Sequence, residues 1–191
     1  MRLSGALSRW SLWFLTAVGA GVGLLLLGQR RTLRRSTTGL EALTQAFWRL
    51  ELGETLNASA RLAAFQYARA VQETDTPAYA LGVAYTLLYA ADQLEGGSPM
   101  VYIQRLRQMT AHPIARAYLA RLSWHIDQPA KARQYLAEVL QQDSTCGLAY
   151  LFLARLESDS ACVWLRRGAT AKYYGAESHA YQILKAQLRC P

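Results

Sequence analysis

Apolar and polar positions divide the chain into two kinds of segment. From Trp10 to Gly28 runs a stretch of 19 uncharged residues, WSLWFLTAVGAGVGLLLLG. As a helix rising 1.5 Å per residue it is long enough to cross a hydrocarbon core. Beyond residue 38 the pattern changes to apolar positions at helical spacing, separated by brief breaks. Thr76-Pro77, Ser98-Pro99 and His112-Pro113 each set a capping residue before a proline at the first helical position. Gly53, Gly96-Gly97, Asp127-Gln128-Pro129, Asp143-Ser144 and Ser158-Asp159 mark further turns. The pattern predicts helices over 39–52, 55–73, 77–92, 99–111, 114–126, 130–142, 147–157, 160–172 and 177–188. Val and Ile are scarce beside Ala and Leu, and no segment alternates like a half-buried strand, so the expected fold is all-α.

The first segment reads as a membrane anchor. Trp10 and Trp13 stand at one end, where indoles favour the interface, and Arg9 and Arg30-Arg31 bracket the run. A cleaved signal peptide needs a small-x-small site just after the apolar run, but the run ends in four leucines, Gly28, Gln29 and Arg30. A single uncleaved N-terminal transmembrane helix is therefore expected, with residues 1–35 as the anchor and its basic flanks and residues 36–191 as the second domain. Two arginines and the α-amino group precede the span, and four arginines follow it. That small margin places the following domain in the cytoplasm, and the protein as single-pass in a bacterial inner membrane. Gly19 and Gly23 form a G-x-x-x-G inside the span, a candidate helix–helix contact in the bilayer.

Composition changes the picture less than it first suggests. The net charge of +8 resembles a nucleic-acid signal, but six arginines precede the first acid, Glu41. From residue 36 onward 15 basic residues face 13 acidic ones, so no basic folded face, and no nucleic-acid partner, is expected. His112, His125 and His179 lack metal-ligand spacing, and no nucleophile elbow or phosphate loop is present, so neither enzyme activity nor a cofactor is expected. Asp127, Asp143 and Asp159 fall at turns and are expected as caps. Cys146, Cys162 and Cys190 lack C-x-x-C spacing and read as small buried hydrophobes, with a Cys146–Cys162 bridge left open should the domain face an oxidising compartment.

The helices pair at a spacing in the mid-thirties, the period of helical-hairpin arrays. Leu81-Gly82 with Tyr85, Leu119-Ala120 with Ala132, and Tyr150 with Leu153-Ala154 sit at matching places, preceded by Leu50, Ala63, Tyr67 and Ala70. On these residues the sequence resembles the tetratricopeptide repeat family over residues 40–190, with no single repeat complete. The resemblance implies a short α-solenoid of about four hairpins, with the helix near 177–188 as a capping helix. It also implies a concave groove lined by the first helix of each hairpin. The candidates there are Tyr79, Val83 and Thr86, then Ala117, Arg121 and Trp124, then Leu151 and Arg155. Arg121 and Arg155 occupy equivalent places in successive repeats and would suit an acidic or aromatic peptide.

The function expected from these readings is a non-catalytic, membrane-anchored scaffold. It would be an accessory subunit or assembly factor of a multi-subunit membrane complex, touching lipid through residues 10–28 and other proteins through the helical domain. The alternative is a membrane-tethered adaptor or chaperone for exported or inserted clients.

Overall fold

The computed structural model describes residues 39–94 and 98–190. The expected span, with Gly19 and Gly23, lies outside the described residues. Among the described residues no helix is long and apolar enough to cross a membrane.

The described chain is all-α. Its helices are α1 over 39–51, α2 Ala58–Ala70, α3 Thr76–Tyr89, α4 Pro99–Gln108, α5 Pro113–His125, α6 Pro129–Gln142, α7 Gly147–Leu156, α8 Ala161–Arg167 and α9 Ala176–Gln187. Local chemistry sets most boundaries. Pro99, Pro113 and Pro129 open α4, α5 and α6, where a missing N–H costs nothing. Ser98 and His112 cap as expected, accepting from the amides of Met100 at 3.4 Å and Ile114 at 3.3 Å. Asn57, not singled out from the sequence, caps α2 by accepting from the Ala60 amide at 2.8 Å. Thr76 is instead the first residue of α3, behind Asp75. Gly53, at φ 82°, turns the chain out of α1.

The expected Asp caps are corrected. Asp127 sits at φ 58° in the turn before α6, and Asp159 lies within a short 3₁₀ turn. Asp143 accepts from the amide and hydroxyl of Thr145, and those bonds hold its carboxyl below the usual range. It ends α6, its amide donating to the Val139 carbonyl, and its side chain closes a turn instead of capping the start of a helix.

The expected helix over 160–172 ends early. After α8 and a 3₁₀ turn, Gly168–Thr170, the chain lies beside the start of α7. Lys172 donates to the Thr145 carbonyl at 2.8 Å, and Gly147 donates to the Lys172 carbonyl at 3.1 Å. This backbone pairing is an isolated parallel bridge, Cys146 to Lys172. A Cβ on Gly147 would collide with the Lys172 carbonyl and the Tyr173 ring, so the close approach requires glycine.

Packing follows sequence order. α3 touches α5 and α5 touches α7, forming an inner row. α2, α4 and α6 lie against that row, and α8 and α9 pack on α7. The inner helices are correspondingly apolar nearly all round: Ala78 to Thr86 of α3 are all buried, as are Gly147 to Ala149 and Leu151 to Ala154 of α7.

Candidate functional site

The feature that organises the interior is α1. Leu43, Phe47 and Glu51 stand four residues apart on one stripe of that helix, and all three side chains are buried. Phe47 meets Tyr118 edge-on at 5.5 Å between ring centres, Tyr89 at 6.0 Å and Phe152 at 6.4 Å. Trp48 stacks on Phe152 at 5.7 Å. These contacts place α1 against α3, α5 and α7 together, with aromatic pairs in the offset and edge geometries that their quadrupoles favour.

Glu51 extends the same stripe with a charge. Its side chain has no exposed surface. One carboxylate oxygen accepts from the Tyr89 hydroxyl at 2.5 Å and from Arg121 Nε at 2.8 Å. The other forms an ion pair with Arg155 Nε at 3.2 Å. The Arg121 guanidinium also lies over the Trp124 ring, 4.7 Å from its centre. Burial, and then the Glu51 carboxylate beside it, push the Tyr89 hydroxyl up, so it stays a donor. One acid from α1 thus joins a tyrosine from α3 and an arginine each from α5 and α7. A buried ion network of this kind is weakly stabilising as a whole, yet removing one member leaves an uncompensated charge.

The structure therefore brings Arg121 and Arg155 together, facing inward onto Glu51, with the half-buried Trp124 beside Arg121. Tyr79, Val83, Thr86 and Leu151 are buried too, with exposures of 8, 4, 5 and 0%. At these positions the inner row is covered rather than bare. Ala117 is also fully buried. The residues missed from the sequence are Phe47, Trp48, Glu51 and Tyr89. The available signal was the spacing of Leu43, Phe47 and Glu51, an acid continuing an apolar stripe.

A second cluster closes the far side of α7. Cys162 of α8 is bonded to Cys190, just beyond α9, with their Cα atoms 5.2 Å apart. The alternative left open by the sequence, Cys146 to Cys162, is not the pair formed. Cys146 is free and buried, and burial pushes its thiol up to about 11. Tyr173 and Tyr181 pack at 4.9 Å. Beside them Glu177 is buried with one backbone bond, from the Tyr174 amide at 3.1 Å. Desolvation outweighs that bond and raises its carboxyl to about 7.

A shallow cavity of about 230 Å³ opens between α2 and the end of α3, lined by Leu62, Phe65, Tyr85 and Tyr89 with Arg61 at its edge. Arg61 donates to the Tyr89 carbonyl at 3.1 Å, and the Tyr85 hydroxyl donates to the Arg61 carbonyl at 3.2 Å. Its polar lining is thus engaged in holding α2 to α3. Among the described residues no three His, Cys, Asp or Glu side chains are grouped to hold a metal ion.

No protein-family model matches the sequence, and no curated protein or solved structure matches it.

Proposed function

We propose that the protein is a non-catalytic, membrane-anchored scaffold, an accessory subunit or assembly factor of a multi-subunit membrane complex. Its helical domain is read as a tetratricopeptide-like α-solenoid of hairpins, capped by α9. The observation that carries the reading is the seat of α1. This helix begins just past the basic flank of the expected anchor, and it contacts three inner helices through Phe47, Trp48 and Glu51. The helix that follows the expected anchor in sequence is thus built into the centre of the domain rather than its edge. A domain tethered to a membrane has a high effective concentration toward membrane partners, which suits such a subunit.

The same observation weighs against the adaptor. Capture of many clients needs an accessible groove, and here the groove arginines already hold an acid of the same chain. Partner contact would then use outer positions, such as the exposed Leu62 on α2 and Met100 and Val101 on α4. The test is purification of the tagged full-length protein in a gentle detergent, with its companions identified by mass spectrometry. One stoichiometric set of membrane proteins supports the scaffold. A scatter of substoichiometric clients supports the adaptor instead.

A further inference from the structure

We infer that the helical domain lies on the oxidising side of its membrane, where Cys162 and Cys190 are joined by a thiol-oxidising system, and that its partners lie there too. The inference rests on the anchored reading only for the existence of a membrane to cross.

The cystine links the first turn of α8 to Cys190, beyond the end of α9 at Gln187, across 28 positions of sequence. It joins a short helix to the segment after α9. α8 is seven residues long, with Ala161 and Leu165 its buried residues. Bridges of this kind persist in oxidising compartments, whereas cytosolic thiols are kept reduced. In mesophiles the exceptions inside the cytosol are catalytic or sensing pairs, which pass their bond to another thiol. Here the remaining cysteine, Cys146, is buried, and its raised thiol leaves little thiolate to attack the bridge. The pair therefore has the character of a structural staple.

Closing it follows ordinary exchange. One cysteine, as thiolate, attacks a sulfur of an oxidising protein's disulfide to form a mixed disulfide. The second cysteine then attacks that bond, leaving the cystine. The two thiols together lose two protons and two electrons, and the oxidant's disulfide becomes a dithiol.

This orientation is the reverse of the one favoured by arginine counts, four after the expected span against two and the α-amino group before it. That margin is a single charge, and long domains can cross despite such a bias. A two-cysteine bridge is the stronger indicator.

The test counts thiols in the full-length protein, expressed in a bacterium with a reducing cytosol and an oxidising periplasm. Cells are quenched in acid, so exchange stops before lysis. The denatured protein is then treated with a mass-tagging maleimide, with and without prior reduction. One tag before reduction and three after is the expected result, with a Cys162–Cys190 linked peptide found by mass spectrometry of the unreduced sample. Three tags before reduction, or a linked peptide containing Cys146, overturns the inference. Co-purification judges the scaffold role separately, so either conclusion can fail without the other.

Discussion

Of the helices outside the inner row of α3, α5 and α7, α1 and α9 are secured by different physics. α1 is held without covalent help, by a large aromatic contact and a buried ion network that reaches three helices. α9 packs on α7 and α8, with buried contacts limited to Glu177, Ala180, Tyr181 and Leu184, and a cystine beside it. Phe47 and Trp48 bring large apolar surface, and the gain from burial grows with that surface. Where the neighbour is as short as α8, the surface is small, and a crosslink that restricts the unfolded chain offsets the deficit. The difference teaches that the helix next to the expected anchor is built into the core, while the last helix is stapled onto it.

The largest expected effect breaks the first half of this comparison. Glu51→Ala leaves Arg121 and Arg155 facing each other without their acid, and should cost about 3–5 kcal/mol in a urea titration. Replacing all three together by Met, Met and Leu should recover most of that loss, since a well-packed apolar set is near parity with a buried ion network. Failure of the triple variant to recover would mean that the network contributes more than the removal of a stranded charge.

Phe47→Ala should follow, at about 3–4 kcal/mol, because it opens a cavity among Tyr89, Tyr118 and Phe152. A loss under about 1 kcal/mol would show that α1 is only loosely seated. On the other side of the comparison, Cys162→Ala with Cys190→Ala should cost about 3 kcal/mol, from the entropy regained by an unfolded loop of this length. The same loss should appear on adding reductant to the native protein, and a melting temperature indifferent to reductant would contradict it.

The smallest effect sharpens the comparison by pH. The Glu177 carboxyl is raised in the folded protein from 4.5 to about 7, so folding favours its protonated form. The stability tied to this group is fully present below about pH 4.5. It is lost as pH rises from 4.5 through about 7, by about 3 kcal/mol. Glu177→Gln should therefore stabilise the protein at pH 8 and change little at pH 4, read from melting curves at both values. Equal effects at the two values would show that Glu177 keeps an ordinary carboxyl.

Much of the fold was legible in the sequence because helix signals are local. Pro99, Pro113 and Pro129, with Ser98 and His112, mark starts that the structure keeps within a residue. The end of α8 was not legible. The segment over 168–173 leaves the helix to pair with the start of α7, a contact made with residues more than twenty positions away. The site was half legible for the same reason. The repeat resemblance grouped Arg121 with Arg155 and set Trp124 near them, but no local pattern says what covers the inner row of helices. The helix that closes it reaches Arg121 from 70 positions earlier, through Glu51. Likewise the cysteine spacing could not choose a partner for Cys162, because that choice depends on how α9 returns to α8.

The most direct measurement is amide hydrogen exchange on the full-length protein in detergent micelles, comparing residues 39–51 with α5 and α7. Protection of α1 equal to that of α5 and α7 is the result expected if this helix fills the inner face. Exchange of α1 as fast as the turn over 52–57, with α5 and α7 still protected, would mean that the groove is open and that Glu51 does not hold the arginines.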